Sequence, residues 1–252
     1  MKDRSIIGSI IIGIAIIVTA MVLAGGFKNR NATLDSISVT GLGTKDFESD
    51  EILWSGRFGS RAMVAKEAYD IITSDKEKVR RFFTSKGFTE NEFSFGGVAF
   101  EKTYRTITID SREGETRSEQ VFDGYTATQS VSFFSKKNPA LMKKIENVID
   151  QTSELINSGI EFNPAPVQYT YSDLPSLKHN LIENGAKDAG ERARKIVENA
   201  GGRLGKLKTA SMGVFQITGK GSVEEDSFGG NNDTYSKSKT ARITVRLEYG
   251  LE

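Results

Sequence analysis

Few side chains in this sequence have the types and spacing to do chemistry. His179 is the only histidine, with Asp173 and Glu183 near it in sequence. A metal site needs several ligands of suitable type at short spacing, and Glu183, four residues on, reads as a helix-surface neighbour. A Ser-His-Asp hydrolase would have to use the same histidine, and the Gly-x-Ser-x-Gly elbow of such enzymes is missing. Gly41-Leu42-Gly43 starts like a phosphate cradle, but Gly-x-Gly-x-x-Gly has to open a helix. Here the sixth position is Asp46 and extended sequence follows, so the segment reads as a structural turn. Gly201-Gly202 and Gly205 follow a helical pattern, which makes them a C-cap and not an anion-binding N-terminus. Glu224, Glu225 and Asp226 lack the alternating ligands and turn glycine of a calcium loop and read as a solvated acidic patch. With no cysteine, zinc-thiolate sites, iron–sulfur ligation, disulfides and thiol catalysis are excluded. No catalytic, cofactor-binding or metal-ligating residue is assigned, and the chain is expected not to be an enzyme.

Charge narrows the partners. The chain has 34 basic and 33 acidic side chains, of which four and one lie in the first 30 residues, leaving residues 31–252 at a net −2. A near-neutral domain has no electrostatic footprint for nucleic acid. About 220 residues remain beyond the apolar start, enough for one large or two small domains with a real core.

The elements that would position any site follow from periodicity. Leu34–Thr40 and Glu51–Ser60 alternate as strands. Ala68, Ile71, Ile72, Val79, Phe82 and Phe83 recur at helical spacing over Ala62–Lys86, and Gly87 is a stop. Glu92–Asp110 and Val121–Ser135 read as strands about a polar tip, Ser111–Glu119. Asn138-Pro139 starts a helix whose stripe is Leu141, Ile145, Val148, Ile149, Thr152, Leu155 and Ile156, ended by Gly159. Ile160–Ser172 is extended. A long helix runs over Leu174–Ala200, with alanines spaced for close approach to a sheet. Leu207–Thr218 and Thr240–Tyr249 are the last strands, and Gly219–Ser238 between them reads as a mobile loop or hairpin tip. This order predicts an α+β fold. Residues 47–172 form an inserted ferredoxin-like βαββαβ unit, and a second small α/β layer is built from residues 31–46 plus 173–252. Phe93, Phe95, Phe100, Tyr104, Tyr125, Phe133 and Phe134 lie on adjacent strands. They are either core and cross-strand pairs or an exposed strip for self-association.

Residues 1–30 differ in kind. Ile6–Ala24 is an unbroken apolar run without charge, flanked by Lys2, Arg4, Lys28 and Arg30. As a helix it would rise about 28 Å, near the roughly 30 Å of a bilayer core. It reads as one N-terminal transmembrane helix. The alternatives are a signal peptide cleaved near Ala24 and a buried core helix. Ser9 and Thr19, the only polar side chains, can bond their own helix carbonyls. The flanking basic residues balance, and the free amino terminus tips the segment toward N-inside, with the domain outside the cytoplasm. Phe27–Thr33 is a short tether. Ser9 and Gly13 form one small-xxx-small pair that could support helix pairing.

Three blocks carry a family resemblance: ISVTGLG (Ile37–Gly43), GYTATQSVSF (Gly124–Phe133) and AKDAGERARKIVENAGGRLGKLKTAS (Ala186–Ser211). Together they resemble the SIMPL domain family of bacterial envelope proteins over about residues 34–250. The third block is the most specific, an Ala-rich helix closed by Gly and followed by Leu204-Gly205. Thr44-Lys45-Asp46 stands where the family usually has Pro-Asp, and Phe95–Glu101 departs from the common pattern. The resemblance implies a secreted or membrane-anchored protein at the periplasmic face of the bacterial inner membrane. It also implies a homo-oligomer, since some members form ring-like assemblies, and a link to envelope or oxidative stress. It supplies no catalytic residues and no cofactor. The expected function is therefore a self-assembling structural or interaction module. The alternatives are a protein that binds a small molecule or peptide between its two layers and, third, an enzyme of unknown reaction.

Overall fold

Alternating apolar positions in the strands and helical stripes between them give two antiparallel sheets, each covered on one face by helices. The structure, a computed structural model, describes residues 13–24, 36–110, 116–222 and 229–252. A short helix α1 spans 13–24. It is followed by β1 (Ser36–Glu48), β2 (Glu51–Ala62), α2 (Ala65–Ser85), β3 (Phe93–Phe95), β4 (Ala99–Asp110) and β5 (Thr116–Phe134). Then come α3 (Pro139–Ile149), a 3-10 helix (Asp150–Ser158), β6 (Phe162–Pro164), β7 (Gln168–Thr170), α4 (Leu174–Asn199), β8 (Leu204–Met212), β9 (Gln216–Gly219) and β10 (Ser238–Leu251). The fold class is α+β. One sheet has the order β1–β10–β8 with β9 also on β10. The other has the order β3–β5–β2–β6, with β4 also on β5 and β7 also on β2.

The second sheet holds the larger core. Ile52, Trp54 and Phe58 on β2 and Val131 and Phe133 on β5 face Ala68, Ile72, Val79 and Phe83 of α2 and Leu141, Ile145 and Val148 of α3. Phe83 is the hub, with ring centroids 4.7 Å from Phe133, 6.0 Å from Phe88 and 6.2 Å from Trp54. The helix ends follow the sequence signals. Asn138 Oδ1 accepts the N–H groups of Ala140 and Leu141 at 3.1 Å, and Gly87, Gly159 and Gly201 take positive φ just past their helices.

Several expectations need correction. Gly41-Leu42-Gly43 is no turn but the middle of β1, which runs on to Glu48. Glycine is needed there for close approach. A Cβ on Gly41 would overlap the carbonyl of Gly185 and the backbone of Ala189, and one on Gly43 would overlap the carbonyl of Leu181. The Glu92–Asp110 strand is broken into β3 and β4 at 96–98. The helix expected to run unbroken to Gly159 tightens to 3-10 at Asp150, which turns Ile156 out to solvent. Leu207–Thr218 divides into β8 and β9, and β8 begins earlier, at Leu204. Within Gly219–Ser238, residues 229–238 lie against the fold, with Ile217 N–H donating to Asn231 O at 2.7 Å and Asp233 N–H to Ile217 O at 3.0 Å. Residues 223–228, with the acidic Glu224, Glu225 and Asp226, lie outside the described residues.

The apolar run Ile6–Ala24 is described only from residue 13, and among the described residues no helix is long and apolar enough to cross a membrane. Within α1, Ile14, Ile16, Ile17, Val18, Met21, Val22 and Leu23 are all exposed, so α1 is not the buried core helix that the sequence left open. Thr19 Oγ1 donates to Ala15 O at 2.8 Å, satisfying its hydroxyl within the helix. The tether Phe27–Thr33 lies outside the described residues.

The glycine seat makes a direct prediction. Gly43→Ala should cost about 3 kcal/mol or more, the upper end for overpacking, because backbone and not a flexible side chain occupies the space. Gly97→Ala, which meets nothing within 4 Å, should change little. Urea unfolding midpoints of the two variants check this; equal midpoints would contradict the seat.

Candidate functional site

The feature of the fold most able to act outside the chain is a β-ribbon. β2 pairs with β5 only from Tyr125 to Phe134, whereas β4 follows β5 out to the Asp110–Thr116 pair. The stretch from Thr103 to Asp110 therefore projects past the sheet with β5 as its only partner strand among the described residues, an arm of about 27 Å at the usual strand rise. A two-stranded ribbon cannot bury its own apolar groups. Here Tyr104 is 52 % exposed, and Phe100 and Ile109 are 44 % exposed. At the arm's root the aromatics meet, Tyr104 edge-to-face with Phe122 at 5.9 Å, Phe122 edge-to-face with Tyr125 at 5.3 Å and Phe100 tilted on Tyr69 at 6.1 Å.

The arm leaves the sheet at a β-bulge. Thr103 pairs with Gly124 but Tyr104 pairs with Phe122, so Asp123 is the extra residue. Gly124 takes φ +113°, and a Cβ there would lie 2.7 Å from Ala62 O. Arg61 at the end of β2 grips the bulge. Its Nη2 donates to Asp123 O at 2.7 Å and also pairs with the Asp123 carboxylate. Arg105 stands 3.8 Å from the same carboxylate.

A second candidate is the seam between the sheets. Ser49 N–H donates to Lys237 O (2.9 Å), Asp50 N–H to Thr170 O (3.2 Å) and Tyr169 N–H to Thr234 O (2.7 Å). The Asp50 carboxylate accepts from Ser172 N–H at 2.8 Å and Ser172 Oγ at 2.5 Å. Lys239, 3 % exposed, donates to the carbonyls of Tyr169 (2.6 Å) and Asp233 (2.5 Å). Burial pushes the Lys239 ammonium down from its usual range, with Asp233 opposing. Burial and the neighbouring Glu146 carboxylate, which accepts the Tyr169 hydroxyl at 3.1 Å, push that phenol up to about 12. Beside the seam lies a cleft of about 610 Å³ lined by Ser49, Asp50, Lys137, Met142, Glu146 and Lys237, among others. The Ser49 hydroxyl is buried with no hydrogen-bond partner among the described residues.

The structure separates the sequence candidates. His179 is exposed on α4, and no group of three or more His, Asp or Glu that could hold a metal occurs among the described residues. Of the aromatics, Phe93 and Phe133 are buried and Phe95 packs against the same core, while Phe100, Tyr104 and Phe134 are exposed. The core reading therefore holds for Phe93, Phe95 and Phe133, while Phe100, Tyr104 and Phe134 are left exposed. The clamp Arg61–Asp123 and the buried Lys239 escaped the sequence reading, because a lone Arg, Asp or Lys carries no local pattern. The only advance signal for the bulge was Gly124 inside a strand.

Compared with known proteins, the sequence matches a family model described as "SIMPL: Protein of unknown function (DUF541)" over residues 37–249. No curated protein matches it significantly.

Asp233 ties the 229–238 segment to the seam and sets a pH dependence. Burial pushes its carboxyl up, but the bonds from Ser236 and from the N–H groups of Tyr235 and Ser236, with Lys239 near, outweigh this and hold it below the usual 3.8. A depressed carboxyl stabilises the fold above its unfolded pKa, and that stability is lost as pH falls through the folded value. Asp233→Asn should therefore be less stable than the parent by about 1 kcal/mol at neutral pH, with the gap closing below pH 3.8. Urea midpoints measured across pH check this; a gap independent of pH would contradict it.

Proposed function

Because the chain belongs to the SIMPL family, we propose that it is a membrane-anchored module that works outside the cytoplasm by associating with copies of itself. The observation that carries this reading is the β4–β5 arm, a long ribbon with unpaired edges and exposed Tyr104, Phe100 and Ile109. Phe100 and Tyr104 lie on one face of β4 and Ile109 on the other, so both faces of the ribbon offer exposed apolar groups to a partner.

Anchoring is supported by the sequence run Ile6–Ala24 and by the all-round apolar exposure of α1. The tether Phe27–Thr33 would hold the domain within about 25 Å of the bilayer at 3.3–3.6 Å per residue, which concentrates copies in the membrane plane and favours lateral assembly. Cleavage near Ala24 would instead release a free envelope protein. The order β4–β5–β2–β6, with α2 and α3 packed on one face, supports reading residues 47–172 as a ferredoxin-like unit inserted in the layer formed by residues 31–46 and 173–252. A role in envelope or oxidative stress follows from the family resemblance. The seam cleft favours a second reading, capture of a small molecule, since its volume falls in the usual range for ligand sites.

Mass measurement of the full-length chain in detergent tests the first reading. The parent should run as an oligomer, and the double variant Tyr104→Lys/Ile109→Lys should shift to monomer with an unchanged unfolding midpoint; a monomeric parent at high concentration would end the proposal. A topology reporter fused after Glu252 should report outside the cytoplasm while one after Arg30 locates the near side of the segment. Cytoplasmic signal from both would overturn the placement. Native mass spectrometry showing a copurified molecule on a monomeric chain would favour the cleft.

A further inference from the structure

We infer that two copies of the chain join β4 to β4, antiparallel about a two-fold axis at Thr103, so that Glu101 of each copy faces Arg105 of the other. The inference rests on the self-association proposed above and assigns its contact and register.

The strand edges of the molecule are not alike. β1 is an edge strand, but its Leu42 N–H is taken by Asp188 of α4 at 2.9 Å. β8 carries Lys206 and Lys208, and charge on an edge discourages pairing. The outer edge of β5 along the arm is interrupted by the Asp123 bulge and gripped by Arg61. β3, β6 and β7 are three residues each. β4 carries charge too, in Glu101, Lys102 and Arg105, but of both signs, which repels a like-charged edge and not a complementary one. It is a regular strand from Ala99 to Asp110, holds no Pro, and pairs among the described residues with β5 alone. Its N–H and C=O groups along the far side are a template for another strand.

Charge selects the partner and, among the registers centred on Thr103, Tyr104 and Arg105, the first of them. In a two-fold antiparallel pair, opposed residues lie on the same face, so the axis passes through one residue. Centred on Arg105, the pairing sets Arg105 against itself, and like charges directly opposite are destabilising. Centred on Tyr104, it sets Glu101 against Ile107. Centred on Thr103, it sets Glu101 against Arg105 twice, Lys102 against the ring of Tyr104 twice, and Ala99 against Ile107. Glu101 and Lys102 have no ion pair among the described residues, and Arg105 has only the 3.8 Å approach to Asp123. A strand whose own sequence is complementary to itself reversed is suited to a second copy of this chain.

The absence of cysteine allows a clean test on the full-length chain in membranes under mild oxidation. Thr103→Cys should form an intermolecular disulfide. Ile109→Cys should not, because its two copies would lie about 40 Å apart at the usual rise. Glu101→Arg should weaken association about tenfold or more, and E101R/R105E should recover it, Arg61 still holding Asp123. Cross-linking centred on Tyr104→Cys or Arg105→Cys in an oligomeric protein would overturn the register while leaving self-association intact. Oligomerisation unaffected by E101R, without a Thr103→Cys cross-link, would overturn the β4 contact. A chain that is monomeric throughout would overturn both readings.

Discussion

The four-stranded layer depends on bare backbone meeting bare backbone. α4 lies so close to β1 that Gly41 and Gly43 have no room for a side chain, and Gly185 of the helix is confined less tightly, with Val245 and the Gly43 N–H about it. Such contact gives up side-chain burial at three positions. What it gains is proximity, since the helix can bury Leu177, Leu181, Ala189 and Ala193 against β1 and β10. It also brings Asp188 within reach of the edge of β1. One packing choice therefore supplies both the core of that layer and the cover for its exposed strand. Interiors packed at crystal density leave little slack for a methyl group in such a place.

The other layer solves the same problem by bulk. Its helices stand off on aromatic rings centred on Phe83, and its most confined strand glycine, Gly56, makes room for the ring of Phe162 and not for backbone. Joining the layers falls to polar contacts, chiefly main-chain hydrogen bonds and the Lys239 ammonium placed between two carbonyls. A buried ammonium is costly unless its donors are used. Here each of the two bonds reaches a different segment, one in β7 and one in the 229–238 stretch, so satisfying the charge requires both segments to be in place.

Much of this was legible in the sequence, for reasons of period. The stripes of α2 and α4, the Asn138 cap, the positive-φ stops and the α+β order all express local rules. Ala189 and Ala193 announced close approach to a sheet. What failed to show was the other half of that contact, because Gly41-Leu42-Gly43 is identical in composition to a turn and its reason lies in a helix far along the chain. The 3-10 ending of α3 and the ordered 229–238 stretch were likewise hidden, since each is decided by a tertiary partner. The arm was visible as two strands and a polar tip, but its projection depends on where β2 stops pairing, which no residue in β4 or β5 encodes.

The pairing of β1 with β10 also fixes an order in time. Glu48 and Ser238 are opposed across 190 residues of chain, so at roughly 5–20 residues per second β1 waits about 10–40 s for its partner during synthesis. β2 through β7 are contiguous and can close before that. The four-stranded layer is the late event, slow because its contacts are far apart in sequence. Until α4 and then β10 arrive, the two glycines of β1 face no partner, and the strand's outer and inner edges are both open to other chains.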